Sequence, residues 1–89
     1  MGLILDPIRQ EVFHAVRGNG AFLNGNAICV SLNAQLPDCI IATGFHYDRG
    51  ELMEKTLQTI GCLFRSNIRG IRRLGGACLD MAWVAAGRM

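Results

Sequence analysis

Apolar residues in the first third of the chain fall in short runs broken by turn-forming residues. Leu3-Ile4-Leu5 stops at Asp6-Pro7, where proline suits the second position of a turn. Val12-Phe13-His14-Ala15-Val16 is rich in strand formers and is bounded by Arg17-Gly18-Asn19-Gly20. Asn24-Gly25 then separates Ala21-Phe22-Leu23 from Ala27-Ile28-Cys29-Val30; both residues tolerate positive φ, the requirement of a type I′ hairpin turn. The pattern predicts three or four antiparallel strands. Such strands need a layer to cover their apolar face, and nothing upstream supplies one.

Ser31 to Asp38 is a polar connection containing Pro37. Cys39-Ile40-Ile41-Ala42-Thr43-Gly44 follows, a continuous apolar run of the kind that forms a strand buried on both faces. The spacing of Leu52, Met53, Thr56, Leu57, Ile60, Leu63 and Phe64 predicts a helix over about 49–65, with Glu54, Lys55 and Gln58 on its polar side. Asp48 with Glu51 three residues later resembles a capping box. Gly61 costs this helix about 1 kcal/mol relative to alanine without breaking it. Ile68 to Leu74 reads as another strand, and Gly75-Gly76 opens a second helix that stops at Gly87-Arg88, a left-handed glycine beside a cation. The order is three or four strands, a loop, then β-α-β-α, a mixed α/β class. The change of character near Pro37 predicts a division into residues 1–36 and 37–89.

Composition narrows the function. The 89 residues are 51% hydrophobic and 18% charged, which excludes intrinsic disorder. A net charge of +2 is too small for an electrostatic nucleic-acid footprint, so no nucleic-acid partner is expected. The uncharged apolar run Ala82 to Ala86 is far short of the roughly 20 residues of a membrane span. The N-terminus has neither a basic segment nor an apolar stretch of signal-peptide length. Cys29, Cys39, Cys62 and Cys78 form no C-x-x-C pair, so they are expected to be reduced, mostly buried hydrophobes of a cytoplasmic protein.

Little in the chain carries chemistry by spacing alone. Gly18-Asn19-Gly20 begins like a dinucleotide fingerprint, but Leu23 replaces the third glycine and the segment leads into a strand. His14 and His46 are isolated, and His14 reads as an ordinary strand residue. Gly75-Gly76-Ala77 is either a tight strand-to-helix turn or a loop whose main chain a ligand approaches closely. Arg69, Arg72 and Arg73 lack interleaved aromatics and read as a solvated face or an interface. The seven acids are Asp6, Glu11, Asp38, Asp48, Glu51, Glu54 and Asp80, and none forms a pair with metal-ligand spacing.

Several segments together resemble the inositol monophosphatase family. They are Gly2-Leu3-Ile4-Leu5-Asp6-Pro7, then Glu11-Val12-Phe13-His14-Ala15-Val16-Arg17-Gly18-Asn19-Gly20-Ala21-Phe22-Leu23-Asn24-Gly25. Ile41-Ala42-Thr43-Gly44-Phe45 and Tyr47-Asp48-Arg49 follow, then Gly70 through Ala82, and Val84-Ala85-Ala86-Gly87-Arg88. The resemblance implies magnesium-dependent hydrolysis of an inositol monophosphate or related sugar phosphate, a layered α-β-α-β-α fold, and a homodimer. It further implies that this chain is the middle third of such an enzyme. The metal-binding glutamate and the D-P-x-D-G-T segment then belong before Met1, and the W-D motif after Met89. No catalytic or metal-binding residue is expected within the chain, and it is expected to hold no Mg²⁺ alone. Gly75, Gly76 and Ala77 match the family's G-[ST]-A segment, which contacts the alcohol portion of the substrate. Gly76 stands in the place of the hydroxyl residue, so the contacts implied there come from the backbone. The Arg72-Arg73 strand resembles a region near the family's dimer contact. Two classes of function follow: part of a phosphatase, or a non-catalytic interaction and dimerisation module derived from that fold.

Overall fold

The computed structural model describes residues 1–89. Its contacts divide the chain into two compact units, one of residues 1–32 with 76–89 and the other of residues 33–75. The last helix returns to the first strands, so the first unit joins two separate stretches of the chain.

In the first unit, β1 (Gly2–Asp6), β2 (Glu11–Ala15), β3 (Ala21–Leu23) and β4 (Asn26–Ala27) form an antiparallel sheet in chain order. The register pairs Ile4 with Phe13, Asp6 with Glu11 and Phe13 with Leu23. Paired residues share a face, so Ile4, Asp6, Glu11, Phe13 and Leu23 stand together, while Leu3, Leu5, Val12, His14 and Phe22 occupy the other face. Helix α2 (Ala77–Ala85) packs on β1 and supplies the covering layer. Phe13 and Ala82 are buried, whereas Leu3 and Leu5 stay exposed.

The turns are built as their residues demand. Asn24 and Gly25 have φ of 47° and 82°, the type I′ pattern, and Leu23 pairs with Asn26 across them. Asn24 does more than turn the chain. Its Oδ1 accepts from the Val12 amide at 2.8 Å, and its Nδ2 donates to the Gln10 carbonyl at 3.2 Å. The side chain thus extends the ladder past the end of β3.

In the second unit, β5 (Ile40–Ala42) and β6 (Gly70–Arg72) are parallel, joined by helix α1 (Glu51–Arg65) in a β-α-β crossover. Ile41 lies opposite Ile71, and Ile68 is buried. β5 is half-buried throughout instead of enclosed on both faces. Nor does Asp48 cap α1: the N-cap is Gly50, with no side-chain hydrogen bond. Glu51 instead pairs with Lys55 at 2.6 Å, one turn along the exposed face.

Both helices end in the same way. After α1, Asn67 takes a φ of 57°; its amide donates to the Phe64 carbonyl and the Ile68 amide to that of Leu63. After α2, Gly87 takes a φ of 71°; its amide donates to Val84 and that of Arg88 to Trp83. Each is a Schellman pair, satisfying carbonyls the helix leaves open. The cysteines depart from expectation: Cys29, Cys62 and Cys78 are exposed and Cys39 is half-buried, all as free thiols. Two small units offer few interior positions, so residue type alone overstates burial here.

Candidate functional site

The sequence places its one candidate ligand-contacting segment where β6 leads to α2. Gly75, the last residue of the second unit, has a φ of 127°. Gly76 is the N-cap of α2, extended at φ −108° and ψ 109°, and no side chain caps the helix. Its carbonyl accepts from the Asp80 amide at 3.0 Å. The amides of Ala77, Cys78 and Leu79 precede the first helical donor, the Asp80 amide, so they remain available at the positive end of the helix dipole. Gly75, Gly76, Ala77 and Cys78 are exposed. A Cβ built on Gly75 or Gly76 meets no atom within 4 Å, so the main chain there is open to approach.

Asp80 stands in the first turn of α2, where its charge favours the dipole. Its Oδ1 and the Trp83 Nε1 are buried atoms without a protein partner. The seven acids do not converge: no group of three or more His, Cys, Asp or Glu side chains could hold a metal ion. The residues present therefore do not fit a Mg²⁺ site.

Other residues singled out by sequence have structural settings. His14 stacks on Phe22 with ring centroids 5.2 Å apart and 14° between planes. Arg69, Arg72 and Arg73 are exposed. Arg72 donates to the Ile71 carbonyl at 3.0 Å, and Arg73 lies 5.8 Å over the Phe45 ring.

Sequence reasoning missed a network of charges in the first unit. Asp6, only 2% exposed, accepts from the Ile8 and Arg9 amides at 3.1 Å each and from Arg9 Nη1 at 2.9 Å. The Arg9 guanidinium lies 5.0 Å over the Trp83 ring. Glu11 binds Arg88 through both oxygens, at 2.8 and 2.7 Å, and Arg88 also lies 5.8 Å over Phe13. These hydrogen bonds hold both carboxyls below their ordinary range: the Arg9 side chain is the leading cause at Asp6 and the Arg88 side chain at Glu11. The Arg9 signal was local, an Asx-like turn after Asp6-Pro7. Glu11 and Arg88 lie 77 residues apart, and no spacing rule reaches that far.

Comparison with known proteins places these features in a family. The chain is 44% identical to the Nus factor SuhB of Pseudomonas aeruginosa, covering 97% of this chain and 32% of that protein. It is 37% identical to the inositol-1-monophosphatase of a Synechocystis species, covering 100% and 31%. The crystal structure of extragenic suppressor protein suhB from Bartonella henselae superimposes with a TM-score of 0.88 at 43% identity, over 99% of this chain and 33% of that one. Inositol monophosphatase from Anabaena gives the same TM-score at 39% identity, over 99% and 34%. The chain thus spans about a third of the length of the relatives it matches. Its strands, crossover and glycine-led α2 follow one continuous family pattern, matched over residues 1–89, and the chain belongs to the inositol monophosphatase family.

Proposed function

We propose that this chain is the central part of a magnesium-dependent phosphomonoesterase acting on an inositol monophosphate or a related sugar phosphate. The observation that carries the reading is family membership over the whole of residues 1–89. In that reading Gly75, Gly76 and Ala77 form a wall against the alcohol portion of the substrate. Their open backbone and unpaired first-turn amides are suited to hydroxyl oxygens and do not demand an anion. The acids here do not gather, so the metal ligands belong to segments outside this chain. Binding at the wall acts equally on substrate and transition state, which lowers KM without raising kcat.

In the longer protein, residues 1–36 end an N-terminal metal-phosphatase domain and residues 37–89 open a C-terminal α/β domain. That division follows chain order, and α2 crosses it by returning to β1. The protein is cytoplasmic and homodimeric in this reading, with the Arg72-Arg73 strand near the dimer contact and no nucleic-acid partner. No helix of the chain is long and apolar enough to cross a membrane.

The test is kinetic. A full-length protein is made by joining this chain, in family order, to the flanking segments of a relative. Ala77→Trp in it should raise KM for myo-inositol 1-phosphate by at least about tenfold, by blocking the wall, while kcat is kept. An unchanged KM would remove Ala77 from the substrate site.

A second reading has its own support. Several relatives are called Nus factor SuhB instead of being named for a hydrolase. The chain would then belong to a non-catalytic module that binds another protein. Sequencing the DNA on either side of the reading frame separates the two, because only the phosphatase requires the D-P-x-D-G-T and W-D segments.

A further inference from the structure

We propose that Glu11 and Arg88 are a positioning pair that sets where Gly76 and Ala77 stand, by fixing the far end of α2 to β2. The inference rests on the reading of Gly76 and Ala77 as a substrate wall, and all its residues lie in the first unit.

Gly76, at the start of α2, has no side-chain cap, and residues 76–78 are exposed. The other end is held three times over. Gly87 closes the helix in a left-handed turn, and a Cβ on it would stand 3.0 Å from the Cys29 carbonyl and 3.2 Å from the Ser31 amide. Arg88 then grips Glu11 with two parallel hydrogen bonds of 2.8 and 2.7 Å. A two-point fork fixes orientation as well as distance, which a single charge contact does not. Midway, Trp83 meets Arg9, itself bound to Asp6.

The pairing also answers a local problem. Asp6 and Glu11 face each other across β1 and β2, an unfavourable arrangement of like charges. Each is neutralised by its own arginine, and one of the two arginines lies just beyond α2. The end of the helix therefore cannot shift without exposing one carboxylate to the other.

Helix geometry carries the constraint to the site. The nine residues of α2 span about 13 Å at 1.5 Å per residue. Pivoting such a rod by about 10° at its pinned end moves the free end by about 2 Å. A displacement of that order is enough to lose a well-placed substrate contact.

The experiment uses the full-length protein described above, carrying Arg88→Lys or Glu11→Gln. Arg88→Lys keeps the charge and removes the fork, and so guards against simple misfolding. We expect KM for myo-inositol 1-phosphate to rise about tenfold in each variant, with kcat held within about twofold. Amide hydrogen exchange should quicken at Asp80, whose amide donates to the Gly76 carbonyl, and at Met81 one position along the helix, while the amides of β2 and β3 keep their protection. A fall in kcat at constant KM, or exchange that quickens equally in β2 and β3, would overturn the proposal, since a purely structural role predicts either. If the unsubstituted protein releases no phosphate with Mg²⁺, the phosphatase reading fails by itself. The exchange measurement then still decides whether the pair holds the start of α2.

Discussion

At Asp6, a carboxylate that sequence presents as one of seven scattered acids is buried, with three donors around it. Its folded pKa lies below the ordinary 3.8, and that of Glu11 below 4.5, each chiefly through an arginine hydrogen bond. A depressed carboxylate pKa contributes stability above the unfolded value and loses it as pH falls through the folded value. Thermal melts should therefore show stability declining as pH drops below about 4.5, and Asp6→Asn with Glu11→Gln should flatten that decline. An equally steep acid limb in the double variant would contradict the assignment. Gly76 offers a gain instead of a loss. Its extended backbone accepts any residue and its Cβ space is open, so Gly76→Ser should fold normally and restore the family's hydroxyl. In the full-length protein a lower KM for myo-inositol 1-phosphate is the expected result.

Elements were legible wherever the deciding contact is short in sequence. Asn24-Gly25 declared its hairpin because the turn needs two positive φ values and these residues tolerate them. Gly25→Val should destabilise the fold by at least about 1 kcal/mol, read as a lowered melting temperature. Periodicity located α1 and β5-α1-β6, and Gly87 marked the end of α2. The cap of α1 was misread because Asp48 lies two residues before the observed N-cap, Gly50. Asp48→Ala should accordingly change stability by less than about 0.5 kcal/mol, where loss of a true N-cap typically costs about 1 kcal/mol. The Glu11–Arg88 fork and the three exposed thiols were illegible for another reason. They depend on how β2 meets the end of α2 and on how few layers surround each unit, and neither leaves a local pattern. The segment Gly75-Gly76-Ala77 was visible as an open strand-to-helix junction, but its chemistry came only from family resemblance.

Large apolar side chains stay exposed in both units of the molecule. In the first unit Leu3, Leu5, Ile8, Val30 and Leu32 are exposed, and in the second Tyr47, Leu52, Leu57 and Phe64. Exposed apolar side chains in such number are the mark of missing partners or a drive to association. The 89-residue chain should bind a hydrophobic dye strongly or self-associate, whereas a compact, dye-negative monomer by light scattering at micromolar concentration would favour an independent module. The central claim is that this chain carries a substrate wall and leaves metal chemistry to other segments. Phosphate release from myo-inositol 1-phosphate, followed with and without Mg²⁺, tests it most directly. Two-metal phosphoryl chemistry needs carboxylates converging on ions about 4 Å apart, and the acids here do not converge. Magnesium-dependent release is therefore expected from the full-length protein and not from the 89 residues alone. Metal-dependent turnover by the bare chain, abolished by substituting Asp48 or Asp80, would contradict the account.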